Sequence, residues 1–254
     1  MASLGTMAVT LSAKTGQFRR DMARANQSVQ KFSKSMDVAS QKVTQAGKAM
    51  TIAVTLPLVA LSTLAIKLAS DAEEIGSKFE VVFRDIADDA ERAAKSFAKN
   101  FDLADSTAKD LLGTTGDLLT GFGFSQEQAL DLAEQVNVLA GDLTSLSNVK
   151  GGVRQASLAL TKGLLGERES MKLLGISVKV GTKQWDDAIK AVKEAGNVTK
   201  IQAEALATLA VAQTQSKNAL GDYARTQDSV ANVSRAFGET LKELTESWGV
   251  LVTE

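Results

Sequence analysis

The chain contains no cysteine and no histidine. The first absence excludes a disulfide framework and any thiolate metal site. The second removes the commonest general base and metal ligand, so catalysis would fall to carboxylates, lysines and hydroxyls alone. A single proline, Pro57, stands among 254 residues, and little else in the sequence breaks helices. Aromatic residues make up only 5%, so alanine, leucine and valine must carry most of the burial. Such a composition suits thin helical packing better than a thick mixed core, and the expected fold class is all-α and elongated.

Net charge is only −1, but it is unevenly placed. Residues 1–50 carry Lys14, Arg19, Arg20, Arg24, Lys31, Lys34, Lys42 and Lys48 against Asp21 and Asp37, a net of +6, so the rest sums to −7. A basic arm of this kind favours nucleic acid, anionic lipid or an acidic protein wall; a solvated helix face is the plainer reading. No secretory signal is visible, because the first apolar run begins near Ala49. A cytoplasmic start is expected.

What is present is helical periodicity. Met7–Leu11 alternates weakly, as one short strand would. From there Phe18, Met22, Ala25, Val29, Phe32, Met36, Ala39, Val43, Ala46 and Met50 recur at alternating spacings of four and three. That 3.5-residue period predicts a left-handed coiled-coil seam. Its self-association residues are Phe18, Met22, Val29, Phe32, Met36 and Val43, packing on a second copy or back on the same chain.

Ala49–Ile66 follows as 18 uncharged residues between Lys48 and Lys67. A bilayer core takes about 20 apolar residues as helix, so Met50, Ile52, Val54, Leu56, Leu58, Val59, Leu61, Leu64 and Ile66 form a candidate membrane segment. Pro57 lies in its middle and would kink or end a helix there. A buried hairpin or helix junction is the competing reading.

Beyond it, Ile75, Phe79, Val82, Ile86, Ala90, Ala93 and Phe97 predict an amphipathic helix. Asp105 is the expected N-cap of a helix through Leu119, stopped by Gly121-Phe122-Gly123. Ser125 with Gln128 predicts a capping box and a helix to about Ala140. After Gly151-Gly152 a helix to Lys162 is expected, then a turn bracketed by Gly163 and Gly166 and helix again over Glu167–Leu174. Ser177–Val180 reads as strand, and Gln184–Ala195 as helix ended by Gly196. Thr199 with Gln202 predicts a second capping box and about fifty unbroken residues after it. A late seam of Val230, Val233, Phe237, Leu241, Leu244, Trp248 and Leu251 runs to the end without a stop signal, as if the chain continued in a longer parent. Three zones result: a basic arm over 1–70, a compact helical unit over 71–197 and a rod-like exit over 198–254.

Sites of chemistry are sparse. Gly113-Thr114-Thr115-Gly116 and Gly163-Leu164-Leu165-Gly166 lack the lysine and strand context of a phosphate loop. The pairs Glu73/Glu74, Asp88/Asp89 and Asp186/Asp187 point about 100° apart on a helix and cannot share a substrate. Glu167/Glu169 likewise reads as a solvated face. Trp185 and Trp248 stand at helical spacing from aliphatic neighbours, as core or interface residues do. No catalytic, cofactor-binding or metal-ligating set is expected.

Several stretches, in this order, resemble the N-terminal region of bacteriophage tail tape measure proteins. They are Gly47–Thr51 with Val54–Leu58, Ala69–Glu74, Gly121–Gly123 with Leu139–Leu143, and above all Gly163-Leu164-Leu165-Gly166-Glu167-Arg168-Glu169-Ser170-Met171-Lys172-Leu173-Leu174-Gly175-Ile176. A glutamine-rich helix over Gln213–Asp222 completes the series. The motif positions singled out are Gly163, Gly166, Glu167, Glu169, Gly175 and Ile176. The resemblance implies a protein threaded through the tail tube, whose length sets tail length and on which the tube assembles. It also implies self-association, with tail tube protein, tail assembly chaperones and tail tip proteins as partners. The host inner membrane would be met during ejection, and DNA only indirectly. As continuous helix, 254 residues span at most about 380 Å, short for that family, and a fragment is expected. Two other readings compatible with the residues are a membrane-active helical pore former and a coiled-coil scaffold unrelated to phage.

Overall fold

The computed structural model describes residues 58–253. Among them every regular element is a helix and none is a strand, so the fold is all-α. The α-helices are α1 (Leu58–Val82), α2 (Ala87–Phe101), α3 (Asp105–Gly121), α4 (Gln126–Ser147), α5 (Gly152–Leu164), α6 (Lys183–Ala195), α7 (Lys200–Gln215), α8 (Asp222–Thr226) and α9 (Val230–Thr253). Short 3-10 segments lie at Arg84–Ile86 and Arg168–Leu174. Helices α3, α4 and α5 pack together at the centre. Around them, α1 and α2 cover α3, α7 and the second 3-10 segment cover α5, and α9 lies along α1.

A sequence poor in aromatics builds this core by seating its few large side chains against glycines. Phe83, fully buried, rests on Gly116 of α3, where a Cβ would stand 2.3 Å from the ring. Phe101 rests on Gly141 of α4 in the same way, and Met171 on Gly163 of α5. Removing one of these side chains would forfeit its burial and leave a cavity, a cost of about 3–5 kcal/mol for a phenylalanine. The Gly113/Gly116 pair, useless as a phosphate loop, is thus the track on which Phe79 of α1 and Phe83 just beyond it lie.

The centre also carries polar groups, and a set of them is paired across α3, α4 and α5. Fully buried Asn137 of α4 donates to Leu111 O and Ala133 O and accepts from Ser157 Oγ at 2.6 Å. Thr115 and Thr161 bridge α3 and α5 at 3.2 Å. A satisfied network of this kind fixes which helix faces meet, because any slip strands buried polar atoms.

Local sequence signals place several helix starts. Both capping boxes form: Ser125 and Gln128 bond reciprocally at the head of α4, as do Thr199 and Gln202 at α7. Elsewhere the structure differs from expectation. Asp105 is the first helical residue of α3, with Ala104 in the cap position. Helix α4 continues past Ala140 to Ser147, because Gly141 is held inside it by the Phe101 ring. In the predicted helix Glu167–Leu174, Arg168–Leu174 forms seven residues of 3-10 rather than α-helix, in the stretch between Gly166 (φ +105°) and Gly175 (φ +76°). The predicted amphipathic helix over Ile75–Phe97 breaks at residues 83–86, and Phe83, off the seam, is the most buried residue of that stretch along with Ala90 and Ala94.

Ser177–Val180 is not a strand. Ile176 and Val178 are buried while their neighbours are exposed, which is the alternation the sequence displays, but no second strand pairs with the run. Instead the Gln215 side-chain amide receives the Ser177 N–H at 2.8 Å and donates to its carbonyl at 2.9 Å. One side chain does what a ladder would have done.

Nor is 198–254 a single rod. The chain leaves α7 at Ser216, turns through Gly221 (φ +73°), makes the five-residue α8 and starts α9 after Ser229, whose hydroxyl accepts the Asn232 amide. The buried core runs continuously from Phe79 to Ala219, so α7 belongs to the same core as α2–α6. The arm, its seam residues Phe18, Met22, Val29, Phe32, Met36 and Val43, and the Met7–Leu11 run lie outside the described residues.

Candidate functional site

The ends of α2, α4 and α5 meet α8 and α9 around a cavity of about 410 Å³. Its geometry follows from two acidic residues, Asp142 in α4 and Asp102 at the end of α2. Asp142, buried in α4, accepts the amides of Gly221 (2.7 Å) and Tyr223 (3.2 Å) and so caps α8 from outside its own segment. That capping swings Tyr223 inward, where its ring lies 5.0 Å from Phe101, itself 5.0 Å from Phe97. The Tyr223 hydroxyl donates to Asp102 at 3.1 Å. Burial, then the adjoining Asp102 charge, pushes the phenol well above its ordinary range, so it stays a neutral donor.

Helix α9 closes the other side with charge. Glu239 accepts from Ala104 N (3.2 Å) and Thr107 Oγ1 (2.6 Å), and Glu246 accepts from Ser106 Oγ (2.8 Å). Together they give the uncapped N-terminus of α3 the anionic partners its dipole favours. Burial raises the Glu246 carboxyl, against the opposing pull of Ser106 and Lys242. Arg235 does the converse at the C-terminus of α4, donating to Thr144 O (3.3 Å) and to Asn148 Oδ1 (2.7 Å). Helix α4 has no basic residue in its own last turn, so α9 supplies one. Desolvation lowers the Arg235 pKa without threatening its charge.

The N-terminus of α5, Gly151 to Arg154, lines the cavity, and no side chain caps it. First-turn amides have no acceptor within their own helix, and that of Gly152 is taken by the Val149 carbonyl at 2.9 Å. Thr144, also in the wall, has a buried hydroxyl without a hydrogen-bond partner. None of these groups is a nucleophile beside a base.

The sequence-derived positions fall elsewhere. Gly163, Gly166, Glu167, Glu169, Gly175 and Ile176 come together as one turn on the outside of α5. Gly163 receives Met171, Ser170 Oγ donates to Ala159 O at 2.7 Å, and Ile176 is buried. Glu167 and Glu169 point outward, beside Lys162 and Lys172. The residue of this stretch with the most partners is Arg168, which sequence reasoning passed over. Its guanidinium lies 4.6 Å over the Trp185 ring and bonds Thr208 (3.3 Å) and Glu204 (3.4 Å), joining the turn to α6 and α7. Periodicity explained Trp185 as core, which it is, but carried no signal for its cation.

Of the apolar segment, Met50, Ile52, Val54, Leu56 and Pro57 lie outside the described residues. Helix α1 begins at Leu58 and carries Val59, Leu61, Leu64 and Ile66. Leu64 and Ile66 are exposed, whereas Ala65 is buried where α9 crosses at Gly249. Among the described residues no helix is long and apolar enough to cross a membrane. Among the described residues, neither the part of the apolar segment in α1 nor the 163–176 turn lines the cavity.

Comparison with known protein families, with curated proteins and with solved structures finds no match.

Proposed function

We propose that this chain is a phage tail tape measure protein, one that sets tail length and scaffolds assembly of the tail tube from inside its lumen. The observation that carries this reading is the ordered series of resembling stretches, of which 163–176 is the most specific. The all-α fold accords with it, as does the way that stretch folds. Its apolar members hold one turn against α5, while Glu167 and Glu169 stay outward.

In this proposal the packed helices over 58–253 act as a docking module rather than as ruler, since α9 lies back along α1 instead of running on. Length is measured by extended helix, for which the 3.5-residue repeat of the arm is the candidate in this chain. Copies associate through that seam, tube subunits polymerise around them, and polymerisation stops where the bundle stops. The partners are further copies of the chain, tail tube protein, tail assembly chaperones and tail tip proteins. The chain is located in the host cytoplasm during assembly and in the virion tail lumen afterwards. On ejection the apolar segment meets the host inner membrane and helps DNA across.

Mass spectrometry of purified particles from the parent locus tests this. The chain should be present in tails and protected from added protease until the tail is opened. Its absence from particles, with a soluble oligomer in the host instead, would favour the scaffold reading; leakage of liposomes by the isolated protein would favour the pore former.

A further inference from the structure

The α1–α9 pair exposes an apolar side. Helix α9 runs opposite to α1: Gly249, near its end, lies against Ala65, near the start of α1. Earlier in α9, Glu239 bonds Thr107 at the head of α3, a helix that α1 meets only further on, at Phe79 and Phe83. Residues advance by about 100° around a helix. Leu64, Leu68 and Ile75 thus stand about 60–100° to one side of Ala65, and Phe237, Leu241 and Leu244 about 80–140° in the same sense from Gly249. On helices that run in opposite directions, the same sense of rotation brings both rows to one side of the pair. Leu64 is 50% exposed and Leu241 47%, and the other four are half-buried.

Charge selects what covers this side. Helix α1 carries Asp71, Glu73, Glu74 and Glu80 against Lys67 and Lys78, and α9 carries Glu239, Glu243 and Glu246 against Arg235 and Lys242, a net of −3 for the pair. Asp71 stands exposed between Leu68 and Ile75. A second copy would bring the same negative helices against it and be repelled. Residues 18–50 instead carry seven basic groups against Asp21 and Asp37, a net of +5, along with an apolar row of their own from Phe18 to Met50. They also end beside this side of the pair. Only residues 51–57, with Pro57 last, separate Met50 from the head of α1, and connections of about 2–8 residues join neighbouring helices. As helix, residues 18–50 would reach about 50 Å, more than the about 38 Å of α1.

We propose that residues 18–50 fold back on the α1–α9 pair of their own chain and lay their seam between the Leu64 and Leu241 rows as a third helix. Val43 then comes level with Leu64, and Met36 and Phe32 with the turns of Asp71 and Ile75. The contact does not depend on the tail reading. Under that reading the docked arm keeps its seam closed to other copies, and bundling requires its release.

Because the chain has no cysteine, single introduced thiols report the cover directly. Leu64→Cys and Leu241→Cys are made separately in the full chain, with Val180→Cys, at an exposed position elsewhere on the surface, as the reference. Each is reacted with a maleimide, with and without Phe32→Asp and Met36→Asp in the arm. The arm substitutions should speed labelling at the first two positions at least about tenfold, as release of a docked element does. They should leave the rate at the third position and the circular dichroism unchanged. Light scattering should give a monomer mass throughout. Labelling rates that ignore the arm substitutions would overturn the proposal. So would protection that grows with concentration alongside a dimer mass, which would identify a second copy as the cover.

Discussion

The carboxylate of Asp142 receives the backbone amide of Gly221 at 2.7 Å across 79 residues of sequence. That one bond, with its companion to Tyr223, decides that the chain after α7 turns back instead of continuing as helix. Asp142→Ala would leave the Gly221 and Tyr223 amides without this acceptor, the second of them at a buried position. Losing a buried acceptor of this kind costs about 1–3 kcal/mol. The thermal midpoint should fall accordingly, and limited proteolysis should cut first between residues 216 and 229. An unchanged midpoint would mean that α8 is held by something other than this cap.

At Gly249, α9 approaches the backbone of α1 closely. A Cβ there would stand 2.1 Å from the Ala65 carbonyl oxygen, which is backbone and cannot step aside. Gly249→Ala should therefore lift α9 locally, at a cost of about 1–3 kcal/mol for overpacking, even though alanine favours helix. Amide exchange should speed up in α9 and in the first turns of α1 while α4 stays protected. Slower exchange in α9 would show that the crossing is looser than this contact requires.

Glu246 gives α9 a dependence on pH. Burial raises its carboxyl above the ordinary value. A raised folded-state pKa favours the neutral form, so the stabilisation it confers is full below the unfolded value and is lost as pH rises through the folded one. Glu246→Gln mimics the neutral form and keeps an acceptor for Ser106. The gain in thermal midpoint of this variant over the parent chain should be larger at pH 7.5 than at pH 4. A gain that shrinks with rising pH would contradict the burial argument.

The 163–176 turn separates structural from outward-facing members. Arg168→Lys keeps the charge but loses the planar stack on Trp185 and the two-atom reach to Thr208 and Glu204. A loss of about 1 kcal/mol is expected in denaturant melts, given that a stacked arginine is not replaced by lysine. Glu169→Ala should leave stability within about 0.5 kcal/mol, because exposed ion pairs contribute little. The reverse ranking would overturn this division of the motif.

Much of the fold was legible in the sequence where the signal is local. The capping boxes at Ser125 and Thr199 lie at their helix starts because cap and partner are three residues apart. Glycines at 121, 123, 166 and 196 fall at helix ends or turns for the same reason. Features that depend on distant partners could not be read. Gly141 looks like a helix breaker until Phe101 is placed against it, and Gly221 looks passable until Asp142 caps α8. Ser177–Val180 has the alternation of a strand, but its partner is the side chain of Gln215. The cavity was illegible altogether. It is lined from six helices, whose contributions, among them Asp102, Thr144, Arg154, Tyr223 and Arg235, share no spacing.

The central claim is that length resides in the repeating arm and not in the packed helices. The direct measurement is tail length by electron microscopy on particles from the parent locus in which residues 15–42 are duplicated in register. Four added heptads, about 28 residues, lengthen a helix by about 42 Å, and the tails should grow by that amount. Tails of unchanged length in otherwise normal particles would contradict the account.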